Sequence, residues 1–226
     1  MCGRFTLTID PADLQDAMPW LKAPAQLTLT PRYNVAPTQP VAAVANNGQH
    51  TLELFHWGLI PSWAKDPSIG SRMINARAET LAEKPSFRTA FKRRRCLILA
   101  DGFYEWRKEA SGKGKTPMYI RLKSGEPFAF AGLWEAWHGP ESDETMLSCT
   151  IITTTPNTLM EKIHDRMPVI LKPDVYERWL DPADQEPGRL AGLLKPYPAS
   201  HMTAHPVSKL VNKPQNDVPE CIVPVN

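Results

Sequence analysis

Cysteine is scarce in this chain. Its four residues, Cys2, Cys96, Cys149 and Cys221, stand far apart and form no C-x-x-C pair. That spacing excludes a disulfide framework and the usual zinc-finger ligand pattern. No apolar run approaches the roughly 20 residues that a membrane-spanning helix needs, and no secretory h-region is visible. The expected compartment is therefore the cytoplasm or nucleoid. Internal repeats and low-complexity tracts are absent as well, and no resident metal or cofactor is expected. With 42% hydrophobic and 22% charged residues the composition is that of an ordinary globular protein. At 226 residues one domain covering 1–226 is favoured over two, with one substantial core.

What is plentiful is proline. Its 23 residues are scattered along the chain instead of gathered in a linker, which predicts many short elements joined by rigid turns. Asp10 followed by Pro11 reads as a helix start running to about residue 18. Apolar, β-branched stretches predict strands over 40–45, 51–57, 96–100, 118–122, 128–133, 149–154 and 168–171. Helical patterns fit 86–93, 158–163, 174–180 and 186–194. Several strands follow one another with no helix between them, which argues against a parallel βαβ sheet. The expected fold class is α+β, a single compact domain with a mostly antiparallel, β-barrel-like core and peripheral helices. Cys96 and Cys149 lie in apolar runs and read as reduced core residues.

Charge is unevenly divided. Between Arg72 and Lys115 there are 12 Lys and Arg against 5 Asp and Glu, a net +7 that leaves −5 for the remainder. The asymmetry favours a polyanion on one region, with Lys92-Arg93-Arg94-Arg95 as its densest point.

Four segments carry polar groups that a core does not request: Arg32-Tyr33-Asn34-Val35-Ala36-Pro37, Ile74-Asn75-Ala76-Arg77-Ala78-Glu79, Ala100-Asp101-Gly102-Phe103-Tyr104-Glu105-Trp106 and Ile163-His164-Asp165-Arg166-Met167-Pro168. Each reads as a loop or an element end, where binding and catalytic groups concentrate. The N-terminus adds a fifth feature. Removal of Met1 before Cys2-Gly3 leaves a 1,2-aminothiol whose amine has an ordinary pKa of about 7.7–8.0, against about 10.4 for lysine. Part of it is uncharged at neutral pH and attacks an aldehyde; the thiol then closes a thiazolidine on the imine.

That reaction on a sugar aldehyde needs a general acid/base, for which Glu105 between Tyr104 and Trp106 is the candidate. His164 and Asn75 have the chemistry to orient the sugar oxygens. Arg4 and Arg77 suit flanking phosphates and Trp63 a stacked base, with Arg32, Asn34 and Arg166 as further nucleic-acid contacts.

The chain resembles the SRAP family, the SOS response-associated peptidase or abasic-site processing proteins. The resemblance rests on an ordered set of motifs spanning essentially the whole sequence. They are Met1-Cys2-Gly3-Arg4-Phe5, Tyr33-Asn34-Val35-Ala36-Pro37, Trp57-Gly58, Asn75-Ala76-Arg77-Ala78-Glu79-Thr80, Asp101-Gly102-Phe103-Tyr104-Glu105-Trp106, His164-Asp165-Arg166-Met167-Pro168, His205-Pro206-Val207 and Asn216-Asp217. It implies a sensor of abasic sites in single-stranded DNA that crosslinks through Cys2 as a thiazolidine, a response to DNA damage. Asn75, Glu105 and His164 match further catalytic positions, Arg4 and Arg77 match backbone contacts, and Trp63 lies in a base-stacking loop. The stacking loop carries one tryptophan where some relatives have two. Past the matched motifs, which run to Asp217, no partner-binding tail and no clamp-interaction motif are expected. Single-stranded DNA holding abasic sites is the expected partner, the protein a monomer, with no membrane and no metal.

Two other readings use the same residues. A thiol peptidase, pairing Cys2 with His164, removes its own Met1 or cleaves other proteins; against it, no oxyanion-hole sequence is apparent. A non-covalent single-stranded-DNA binding module uses the basic region and tryptophans, with Cys2 incidental. An accompanying weak lyase activity by β-elimination from the imine is expected of the covalent reading.

Overall fold

Apolar, β-branched runs punctuated by proline and glycine make strands the dominant regular element of this chain. The computed structural model describes residues 2–109, 112–139 and 145–225. Met1, whose removal the aminothiol reading requires, and Asn226 lie outside the described residues. In chain order the elements are β1 (Phe5–Leu7), α1 (Pro11–Ala17), β2 (Arg32–Val35), β3 (Pro40–Ala45), β4 (Leu52–Trp57), β5 (Asn75–Arg77), α2 (Arg88–Arg93), β6 (Arg95–Ala100) and β7 (Gly102–Lys108). There follow β8 (Lys115–Leu122), β9 (Phe128–His138), β10 (Thr145–Thr154), β11 (Met167–Pro168), β12 (Ile170–Leu171), α3 (Tyr176–Leu180), α4 (Pro187–Ala191) and β13 (Met202–Pro206).

Five strands close on themselves. β3 pairs with β4 and β6, β6 with β9, β9 with β10, and β10 returns to β4. Every pairing in this ring is antiparallel except β10–β4, which is parallel. Closure removes the open sheet edge that would otherwise template association. A second, antiparallel sheet runs β13-β8-β7-β1-β2. The expected α+β fold with a barrel-like core is what the chain adopts.

Strand parity explains the core. Val41, Ala43, Ala45, Cys96, Ile98, Phe128 and Phe130 belong to one buried cluster, which continues onto Phe5, Phe103 and Ile120 of the second sheet. Their strand neighbours Ala42, Val44, Leu97, Leu99 and Ala129 belong to another cluster, with Leu14, Phe91 and Trp179 of the helices. Phe5 meets Trp57 and Phe130 at ring-centroid distances of 5.1 and 5.7 Å. That packing ties the N-terminal strand to the barrel. Cys96 and Cys149 are free and fully buried, as read from their apolar runs.

Three expectations change. Residues 158–163 form only a 3-10 turn, Met160–Lys162, because Asn157 Oδ1 accepts from the amides of Leu159 and Met160 and tightens the chain at once. The segment around Glu105 is no element end; it is the interior of β7, paired antiparallel with β1 and β8. The basic run is not a continuous solvated face either. Arg95 is fully buried, giving hydrogen bonds to the carbonyls of Trp179, Phe91, Lys92 and Asp181, and Arg94 pairs with Glu135 at 2.7 Å. A charge taken out of water must find such partners, so only Lys92 and Arg93 of the run face outward.

Candidate active site

The N-terminal strand is held from both sides before any functional group is considered. Thr8 donates from its amide and its hydroxyl to Asp101 Oδ2, at 2.5 and 2.6 Å, and the Tyr104 amide donates to the Arg4 carbonyl at 3.0 Å. β1 pairs with β7 through Phe5↔Phe103 and Thr6↔Gly102. This register sets Cys2, just ahead of β1, beside Glu105, two residues along β7 from Phe103. From the barrel side, β5 lies parallel on β10 with Ile151 opposite Asn75 and Thr153 opposite Arg77. Asn75 Nδ2 donates to the Cys2 carbonyl at 2.8 Å. The loop after Met160–Lys162 brings His164 Nε2 to 3.9 Å from Glu105 Oε2. Residues 2, 75, 105 and 164, distant in sequence, meet at one point.

Electrostatics there follow from burial. Burial pushes the Glu105 carboxyl above the usual carboxylate range, with His164 nearby pulling the other way. The cause is not the sequence neighbours. Phe103 belongs to the inner cluster, whereas Tyr104 and Trp106 pack in a cluster on the opposite face of the sheet, with Tyr119 and Val207. Glu105 shares the parity of Phe103, so it meets the protein interior and the aromatics meet the other side. Burial, and then the Glu105 carboxylate, push the Cys2 thiol far above its ordinary value. Asn75 Oδ1 is buried without a hydrogen-bond partner among the described residues, which leaves an acceptor in the site that interior packing does not use.

The six nucleic-acid candidates divide sharply. Trp63 is 64% exposed at the tip of a loop whose Ala64 carbonyl accepts from Trp137 Nε1 at 2.7 Å. Arg77 is exposed, two residues from Asn75 on the same face of β5. Arg32 is partly exposed but bound to Asp217 and to Gln39 Oε1. Arg4 Nη1 donates to Asn34 Oδ1 at 2.8 Å and to the Val211 carbonyl at 2.7 Å, and burial lowers its pKa. Asn34 is removed from the contact set. Its side chain is fully buried, and Nδ2 donates to the carbonyls of Val211, Lys213 and Asn216. Arg166 is 13% exposed and grips Glu79 through both of its carboxylate oxygens.

Several groups that organise the site were not singled out as site residues in the sequence. Asp101 accepts from the Thr8 amide and from the Thr6 and Thr8 hydroxyls, and Asp217 accepts from the amides of Tyr33 and Asn34. Glu79 and Thr153 hold Arg166. Glu79, Asp101 and Asp217 did sit inside the motifs, but nothing in a linear motif shows which cation or amide a carboxylate will meet. No three His, Cys, Asp or Glu side chains converge as a metal site among the described residues. No helix among them is long and apolar enough to cross a membrane.

Comparison with known proteins adds an independent line. Residues 1–214 match the family described as SOS response associated peptidase (SRAP). The chain is 51% identical over 223 residues to the Bacillus subtilis protein named abasic site processing protein YoqW, covering 98% of this chain and 99% of that one. It is 32% identical to abasic site processing protein HMCES of Xenopus tropicalis, covering all of this chain and 78% of the relative. A crystal structure of a protein from Bacteroides thetaiotaomicron superposes with a TM-score of 0.89 at 29% identity, over the whole of both chains.

Proposed function

The chain belongs to the SOS response-associated peptidase family, and on that premise we propose that it processes abasic sites in DNA by crosslinking to them through Cys2. The observation that carries this reading is the convergence of Cys2, Asn75, Glu105 and His164 on one point, with exposed Arg77 two residues from Asn75. The names of the two relatives supply the substrate.

Removal of Met1 frees the Cys2 amine. The amine attacks the C1′ aldehyde of the ring-opened abasic sugar, and the carbinolamine loses water to give an imine. The thiol then adds across the imine, its proton passing to the former imine nitrogen, and a thiazolidine closes. The net change is protein plus DNA minus one water. Glu105, whose burial favours the protonated carboxyl, delivers a proton to the ring oxygen as the sugar opens and to the departing hydroxyl as the imine forms. His164 holds the sugar oxygens, and its proton assists the reverse reaction. Asn75 fixes the Cys2 carbonyl and offers its unused Oδ1 to the substrate or the freed amine. Arg77 takes a flanking phosphate and Trp63 stacks on a base.

The test is intact-mass spectrometry of the processed protein with a single-stranded oligonucleotide holding one abasic site. A heat-stable adduct at protein plus DNA minus water is expected, absent in Cys2→Ala and absent when Met1 is retained. A stable crosslink from protein that keeps Met1 sinks the mechanism. In Cys2→Ala, strand cleavage by β-elimination from an imine is expected in place of the adduct.

A further inference from the structure

Both terminal nitrogens of Arg166 are engaged inside the protein. Nη1 lies 2.7 Å from Glu79 Oε1, while Nη2 lies 2.9 Å from Glu79 Oε2 and 2.7 Å from the Thr153 carbonyl. Its Nε is buried with no partner among the described residues. A planar fork engaged at both terminal nitrogens makes a rigid clamp, and it leaves little of the guanidinium for a phosphate. Glu79 follows β5 and Thr153 lies on β10, so the clamp fastens the 163–168 loop to the two strands that position Asn75.

The backbone of the same residue reaches His164. The Arg166 amide donates to His164 Nδ1 at 3.0 Å. A ring nitrogen that accepts carries no hydrogen, so in the neutral ring the proton sits on Nε2, the atom facing Glu105. A competitor is present: Asp165 Oδ1 lies 2.9 Å from the same Nδ1, on a side chain 89% exposed. A ring protonated on Nδ1 turns that hydrogen to Asp165 and leaves the Arg166 amide without its acceptor. The two arrangements are alternatives, and the immobile amide selects one. Other charged groups near the ring are Glu105 from β7 and, lining the adjoining cavity with it, Arg107, Lys108, Lys115, Glu161 and Lys162.

We propose that Glu79 is a positioning residue which, through the Arg166 clamp, holds His164 in the Nε2–H tautomer aimed at Glu105 and the substrate. The proposal rests on the abasic-site reading for its consequence, though not for the tautomer itself. It also moves Arg166 from DNA contact to internal scaffold. A correctly placed imidazole proton can be handed to a sugar oxygen; the other tautomer presents a lone pair there instead. The pull of Arg166 on Glu79 shows in the carboxyl, which the hydrogen bonds hold below its usual range.

The variant is Glu79→Gln, isosteric at a half-exposed position, with Arg166→Lys as a second break of the fork. Two readouts decide. Nitrogen-15 NMR of the histidine rings should show one Nε2–H tautomer for His164 in the wild type and a mixture in Glu79→Gln. The rate of adduct formation at saturating abasic single-stranded DNA should fall about tenfold or more, while non-covalent affinity of the same variant for single-stranded DNA without an abasic site stays within about twofold. A His164 tautomer unchanged in both variants overturns the proposal. An affinity loss that matches the rate loss also overturns it, since it makes Arg166 a phosphate contact. If wild-type protein forms no adduct, the functional reading fails, and the NMR measurement still tests the clamp.

Discussion

Glu105 shows how one side chain can work against the fold that carries it. It is 2% exposed, and burial raises its folded-state pKa above the ordinary 4.5. Below about pH 4.5 both folded and unfolded chains hold the proton, and the group is neutral toward stability. As pH climbs from there through the raised folded value, the unfolded chain releases the proton first and the fold loses stability. Above that value the penalty is constant. Glu105→Gln abolishes it. The variant should match the wild type at acid pH and exceed it in stability above the window, measured as urea midpoints across pH, while adduct formation is lost. A variant less stable at neutral pH contradicts this assignment. Asn75 belongs with Glu105, because its buried, unpaired Oδ1 is tolerated at a site and is rarely left in a core.

Among elements, the loop joining β4 to β5 is held by backbone closeness. Gly58 has φ +141°, and a Cβ there would lie 2.6 Å from the Gly70 carbonyl oxygen; a Cβ on Gly70 would lie 2.7 Å from the Gly58 oxygen. Two backbones pressed together at this point fix the base of the loop that presents Trp63. Gly58→Ala should cost about 2–4 kcal/mol and weaken non-covalent binding of single-stranded DNA by displacing Trp63. Gly48→Ala is the control: its φ of +78° strains alanine, but nothing lies within 4 Å of the new methyl. It should cost only about 1 kcal/mol and leave binding intact. Equal effects from the two, in denaturation and in DNA titration, would remove the close approach as the cause. Legibility also varies by element. The barrel strands were readable because both faces of β3, β6 and β9 are apolar. The second sheet was largely missed: β1 has three residues, β13 includes Pro206, and β7 interleaves Glu105 with aromatics. Such strands owe their form to pairing partners rather than to their own composition.

For the whole molecule, the +7 segment overstates the charge available to DNA. Arg94 and Arg95 are spent on Glu135 and on four backbone carbonyls, and beyond that segment Arg4 and Arg166 are bound within the protein. The logarithm of non-covalent affinity for single-stranded DNA should therefore fall with the logarithm of salt at a slope near −2 to −3, about 0.7 per phosphate contacted. Arg77→Gln should reduce the slope by about 0.7 and Arg94→Gln should leave it alone. A slope of −6 or steeper in a salt titration contradicts this view of the surface. The sequence by itself determined three things: an aminothiol latent in Met1-Cys2-Gly3, the apolar, β-branched runs that make the barrel, and the ordered motifs that place the chain in its family. Only the tertiary structure decided which ionisable groups are dry and which are spoken for. Arg4 and Asn34 meet the carbonyl of Val211, some 207 and 177 positions away. Arg166 reaches back 87 positions to Glu79. Desolvation and hydrogen bonding depend on neighbours in space, and a linear pattern of residue types does not contain them.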